Sequence, residues 1–201
     1  MTPPRWPFER VLLARHGETQ WNLAGRRQGR LDSPLTARGL AQAHRVADGL
    51  AETGVDAIFA SPLGRAVATA RACADRVGHA VVEIAELGEL DNGGMAGLTN
   101  AEIDRQFPGE LARRAADKYR WRFPGGESYA DADLRATAAL RRIAGAGVRR
   151  PLIVSHEMIG RMLLRNLLGL DPGEALRRGQ PNDVVLLVRA GAVDCDELSF
   201  R

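Results

Sequence analysis

The chain has little of several things. Its 201 residues include two cysteines, Cys73 and Cys195, with no CxxC spacing. They support neither a disulfide framework nor a zinc site. Lysine occurs once, at Lys118, so nearly all positive charge is arginine. The basic excess is small: 28 Lys and Arg against 25 Asp and Glu, a net charge of +3. The arginines are scattered, and no basic stripe alternates with aromatics, which argues against a nucleic-acid partner. No apolar run approaches the roughly 20 residues of a membrane span. The first ten residues hold Pro3, Pro4 and Pro7 and no apolar stretch, unlike a secretory signal. A reducing, cytoplasmic setting is expected. Hydrophobic residues make up 45%, enough for a core, and no linker or repeat interrupts the chain, so residues 1–201 are expected to form one domain.

What is present centres on Leu13-Ala14-Arg15-His16-Gly17-Glu18-Thr19. The apolar run Val11-Leu12-Leu13-Ala14 ends abruptly in an arginine, a histidine and a glycine. A buried strand delivering polar groups to a sheet edge reads this way. His16 there can be a nucleophile, a base, a metal ligand or a satisfied polar residue.

Apolar runs predict strands at Glu9 to Ala14, Val55 to Ala60, Ala80 to Ala85, Pro151 to Ser155, Val184 to Arg189 and Val193 to Phe200. The last two are joined by a hairpin turn at Ala190-Gly191. Helices are expected from Thr36 to Glu52, from Pro62 to about Val77 with Ser61 as N-cap, from Glu127 to Gly145 and from Glu157 to Leu168. Leu40, Ala43, Ala47 and Leu50 would form the apolar stripe of the first. Thr99-Asn100-Ala101-Glu102 is a capping-box start of a shorter helix. Alternating strands and helices imply an α/β fold: a three-layer α/β/α sandwich around a mostly parallel sheet with an antiparallel edge.

In such sheets ligands bind beyond the carboxyl ends of the strands. The residues there are Arg15 and His16 after the first strand, Ser61, Pro62 and Arg65 after the second, Glu86 and Glu89 after the third, and Ser155, His156 and Glu157 after the fourth. Two arginines, two histidines and a carboxylate make a cationic pocket, and an arginine fork matches phosphate oxygens in pairs. The helices after Ser61 and His156 would add inward N–H groups. A phosphoryl group is the expected occupant. His16 can attack phosphorus through a neutral ring nitrogen. Glu89, favoured over Glu83, Glu86 and Asp91 by its spacing to Gly93 and Gly97, can protonate the departing alcohol and then deprotonate water. His44 and His79 are expected to face solvent. Arg113, Arg114, Lys118, Arg120 and Arg122 are expected on a solvated helix face.

Arg15-His16-Gly17-Glu18-Thr19-Gln20-Trp21-Asn22 resembles the RHG signature of the histidine phosphatase superfamily, the phosphoglycerate mutase-like proteins. The likeness continues through Asp32-Ser33-Pro34-Leu35-Thr36, Ser61-Pro62-Leu63-Gly64-Arg65-Ala66, Glu89 with Gly97-Leu98-Thr99, Pro124-Gly125-Gly126-Glu127-Ser128 and Val154-Ser155-His156. The resemblance implies that His16 is the phosphorylated nucleophile. It implies that Arg15, Arg65 and His156 hold the phosphoryl oxygens, and that Glu89 is the general acid and base. Asn22, Gln28 and Gly29 fall where the family lines its phosphate and substrate pocket. No metal or organic cofactor is implied. A small phosphorylated metabolite is the implied partner, and residues 99–128 the implied lid. The interval from Asn92 to Ser155 lacks the insert of the family's mutases, which favours a phosphatase over a mutase. His16 and Glu89 together argue against a non-catalytic phosphate-binding protein.

Five residues in three places depart from the family pattern. Glu157 and Met158 stand where glycine or asparagine is usual, Met95 and Ala96 precede Gly97, and Gly88 precedes the acid. The expectation for Glu157 is that it points away from the pocket and favours its own helix N-terminus.

Overall fold

The computed structural model describes residues 6–200. Met1 to Arg5, part of the proline-rich start, lie outside the described residues. Strands β1 (Arg10–Arg15), β2 (Ala57–Ala60), β3 (Val81–Glu83), β4 (Pro151–Ser155), β5 (Val184–Arg189) and β6 (Asp196–Ser199) form one sheet in the order β3-β2-β4-β1-β5-β6. β1 to β4 run parallel, and β5 and β6 are antiparallel at one edge.

Strand alternation divides the core in two. Val11, Leu13, Phe59, Ile153, Leu186 and Val188 face one layer of helices. That layer holds α6 (Tyr129–Gly145) and α7 (Glu157–Leu168). Leu12, Ala14, Ile58, Ala60, Leu152, Val154 and Leu187 face the other side, against α2 (Ala37–Leu50) and α3 (Gly64–Val77). The architecture is the expected three-layer α/β/α sandwich. Among the described residues, no helix is long and apolar enough to cross a membrane.

Four local expectations are corrected. Leu40 is not part of the α2 stripe: it stands out 49% exposed, and Val46 takes the buried place beside Ala43, Ala47 and Leu50. Ser61 does not cap α3; the N-cap is Leu63 and the helix starts at Gly64. β3 is three residues long, because the chain turns at Ile84 into a 3₁₀ turn over Ala85–Leu87. β5 and β6 are joined by the six residues 190–195 rather than by a two-residue hairpin. Three short helices were invisible to periodicity: α1 (Gln20–Leu23), α5 (Glu110–Ala116) and α8 (Pro172–Arg177). α4 (Asn100–Gln106) starts with the expected Thr99–Glu102 capping box.

Candidate active site

The carboxyl ends of β1, β2 and β4 converge, because these strands are neighbours in register: Arg15 pairs with Ser155, and Ala60 with Val154. A cavity of about 120 Å³ opens there. Arg15, His16, Asn22, Gln28, Gly29, Arg65 and Glu89 line it, together with Arg26, Arg27, Asn92, Glu157 and Met158. Seven of the eight residues singled out by sequence are in that lining. The eighth, His156, is fully buried just behind, its ring centroid 5.1 Å from that of His16. Of the competing acids, Glu83 is exposed on β3, Glu86 pairs with Arg142 and Asp91 accepts from the Gly93 N–H, leaving Glu89 in the cavity.

His16 is held tightly. Its Nδ1 lies 2.8 Å from the Gly17 carbonyl. A carbonyl only accepts, so Nδ1 carries the hydrogen and Nε2 keeps its lone pair. Asn182 Nδ2 donates to the His16 carbonyl at 2.6 Å, and the Gly17 N–H donates to Thr69 Oγ1 at 3.0 Å. Burial, then the charges of Arg65 and Arg15, push the His16 pKa well below the ordinary histidine range; the Gly17 contact opposes them. The ring is therefore neutral near pH 7. His156 is pushed the same way by burial, then by Arg65, His16 and Arg15. Its Nε2 pairs with Ser61 Oγ at 2.7 Å, which is where the expected cap hydroxyl goes instead.

Arg65 is 2% exposed, yet its charge is well supported. Nη1 donates to Leu31 O at 2.8 Å and Asp32 Oδ1 at 3.0 Å, and Nη2 donates to Gly29 O at 2.8 Å. Gly29 can present that carbonyl because it sits at φ +53°, where a Cβ would also press 3.0 Å from the Asn92 backbone nitrogen. Arg15 Nη1 donates to Gln180 O at 3.1 Å and forms an ion pair with Glu157 Oε2 at 2.9 Å. Among the described residues, Arg15 Nε, Arg65 Nε and His156 Nδ1 are buried without a hydrogen-bond partner.

The helix N-termini behave differently from expectation. Glu89 accepts from the N–H groups of Leu90, Met158 and Ile159, at 2.9, 3.1 and 3.0 Å. Asp32 Oδ1 accepts from the Arg65 N–H at 3.4 Å. Carboxylates of the protein thus take the inward N–H groups, and the arginines and histidines are what the cavity offers an anion. Glu157 also departs from expectation. It faces the cavity and bridges Arg15 and Arg161.

Asn22 puts Oδ1 into the Thr19 capping box, which leaves its NH₂ group available. Sequence reasoning missed Asn92, Asp32, Thr69, Gln180 and Asn182 as parts of the site. Asp32 stood in a quoted block, but nothing marked it as the partner of Arg65. The basic cluster does not share one helix face: Arg113 and Arg114 lie on α5, which ends at Ala116, and Lys118, Arg120 and Arg122 follow it, although Arg113, Arg120 and Arg122 are exposed as expected. Arg114 is half-buried over the Phe123 ring and Lys118 over the Tyr129 ring, at 5.8 and 5.9 Å from the centroids. His44 faces solvent; His79 is half-buried, with Nε2 against the Val55 carbonyl.

The family model of the histidine phosphatase superfamily (branch 1) matches residues 11–195. A probable phosphoglycerate mutase of Yersinia pestis is 42% identical over 175 residues, covering 84% of this chain and 78% of that protein. A mycobacterial glucosyl-3-phosphoglycerate phosphatase, solved in complex with VO3, superposes with a TM-score of 0.83 at 28% identity over 95% of this chain and 97% of that one. A putative alpha-ribazole-5'-P phosphatase of Escherichia coli superposes at 0.86 over 96% of each chain; at 24% identity that likeness concerns the fold. With a family match across residues 11–195 and a relative at 42% identity, the chain belongs to the histidine phosphatase superfamily.

Proposed function

We propose that the chain is a metal-independent phosphomonoesterase acting on a small phosphorylated metabolite through a phosphohistidine on His16. The observation that carries this is the fixed tautomer of His16: a buried, neutral ring with Nδ1–H spent on Gly17 O, beside two arginines. Nε2 attacks phosphorus, and the bond to the ester oxygen breaks. The departing oxygen takes a proton from Glu89. Glu89, now a carboxylate, takes a proton from water; the hydroxide attacks phosphorus, the P–N bond breaks, and phosphate leaves.

Arg15 and Arg65 spread the charge of the three phosphoryl oxygens. With the Ser61 hydroxyl donating to Nε2, His156 carries its hydrogen on Nδ1 and offers it to a phosphoryl oxygen. Asn22 and Gln28 contact the substrate, and Gly29 supports Arg65. We assign 99–128 the part of a lid, tied to the cavity loop where Arg26 meets Glu102 and Arg27 meets Asn100. The solved glucosyl-3-phosphoglycerate phosphatase supports a phosphatase; the sequence likeness to a probable mutase supports the second reading, return of the phosphoryl group to a second hydroxyl.

The test is hydrolysis of an aryl phosphate with EDTA present, wild type beside His16→Ala. Turnover that survives chelation and vanishes in the variant is expected. A denaturing alkaline quench preserves the P–N bond, so a mutase would show trapped phosphohistidine after 2,3-bisphosphoglycerate with little phosphate release. Neither turnover nor trapped phosphate would sink both readings.

A further inference from the structure

We infer that Glu157 is a specificity-determining residue. Its carboxylate, bridging Arg15 and Arg161 at the cavity wall, selects phosphomonoesters with an uncharged, hydroxyl-bearing leaving group against those carrying a second anionic group near the phosphoryl group. The inference rests on the phosphomonoesterase reading above and names its substrate class.

Three observations carry it. First, Glu157 is placed to meet substrate: it lines the cavity and its side chain is 32% exposed. Second, it is not spent on its own helix. The N–H groups of Met158 and Ile159 are taken by Glu89. An isolated i,i+4 pair with Arg161 would be an ordinary surface feature. Here the same carboxylate also reaches Arg15 on β1, at 2.9 Å. Third, both guanidiniums it holds are fixed from other sides. Arg161 donates to Arg178 O at 2.7 Å and Tyr129 Oη at 2.9 Å, and Arg15 donates to Gln180 O. They would stay in place without Glu157.

The surroundings explain the effect. Arg26 and Arg27 line the same cavity, and Arg114 and Lys118 lie half-buried near Tyr129. Left open, Arg15 and Arg161 would present a paired cationic site beside the phosphoryl position, suited to a carboxylate or a second phosphate. Glu157 already supplies that counter-charge. An entering anion meets a like charge there, whereas a hydroxyl donates a hydrogen bond to it. Selection arises from a repulsive element as well as an attractive one.

The experiment uses a matched pair: glycerol 3-phosphate and 3-phosphoglycerate differ by CH₂OH against carboxylate at one carbon. Their phosphonate analogues resist hydrolysis, so binding to the intact protein is read by calorimetry, independently of turnover. Wild type is expected to bind the neutral analogue about tenfold or more tighter than the acidic one. Glu157→Gln is expected to erase that preference by tightening the acid. In hydrolysis of the two esters, the same change is expected in KM rather than kcat. A wild-type ratio near one overturns the inference even if the variant does not fold, as does an unchanged ratio in Glu157→Gln. Aryl phosphate turnover with a flat ratio would sink the role of Glu157 alone. A tenfold ratio without turnover would sink the phosphatase and leave Glu157 as the selector of a binding site.

Discussion

His156 lies behind the cavity rather than in it, and one contact aims its ring. Ser61 Oγ sits 2.7 Å from Nε2, with both residues fully buried. Ser61→Ala would leave that ring nitrogen buried and unpaired, at a cost of about 1–3 kcal/mol of stability. The ring would also be free to turn. The expected outcome is a correctly folded variant with kcat lowered about 10-fold or more, since small misplacements of a positioned group are costly. Circular dichroism, denaturant unfolding and aryl phosphate kinetics check the two effects separately. A variant with wild-type kcat would show that His156 needs no such alignment.

Arg65 poses the same question in another form. Its support comes from Asp32, Leu31 and Gly29, all on the loop between β1 and α2. Asp32→Asn would keep a hydrogen-bond acceptor but remove the charge that offsets a buried guanidinium. Arg65 would then keep its place but rely on substrate for its counter-charge. The expected result is lower stability of the free protein, recovered in part when phosphate is added. Thermal unfolding with and without phosphate measures it.

Between residue and sheet stands the long loop after β1, and two glycines clamp it to α2. A Cβ on Gly17 would lie 2.2 Å from the Gly39 carbonyl oxygen, and one on Gly39 would lie 2.0 Å from the Glu18 carbonyl oxygen. Both obstacles are backbone, so neither can swing aside. Gly17→Ala is expected to push the His16 loop off α2, costing about 1–3 kcal/mol and more in activity than in stability. Ala41→Ser, on the exposed side of α2, is the control and should change neither.

This scale also shows what the sequence could tell. β4 and α7 were legible to the residue, because a bare apolar run and a long amphipathic stripe carry their own signals and Gly169 closes the helix at φ +71°. α1, α5 and α8 span four, seven and six residues, too few turns for a period to show. The cavity residues were legible through their order along the chain. Their supports were not. Ser61 reads locally as a cap, but a histidine 95 positions away claims it. Glu157 reads as a helix-start charge, but Arg15 from β1 draws it into the cavity. Tertiary partners override local preference at such places, and they gather where a site is built.

At the scale of the whole molecule, the buried histidines make folding depend on pH in a definite direction. Both have pKa values pushed well below the ordinary range, first by burial and then by the neighbouring arginines. In the unfolded chain each would titrate near its ordinary value of about 6.5. Below that pH the unfolded state takes up protons that the folded state refuses. Stability is therefore full above about pH 6.5 and falls as pH drops toward the depressed folded values, by up to about 1.4 kcal/mol per pH unit for each histidine. A bound dianion changes the balance. Phosphate beside the two rings favours their protonated forms and offsets the arginine charges that depress them. Phosphate should thus raise stability by ordinary mass action and also flatten its fall with acid. Denaturant midpoints from pH 7.5 to 5.0, with and without phosphate, are expected to differ most at the acidic end. His156→Asn removes one titrating group from the folded core, so its acid slope should be shallower than wild type. A slope unchanged in that variant would mean that acid lability arises elsewhere, among the many surface carboxylate–arginine pairs, and not at the cavity.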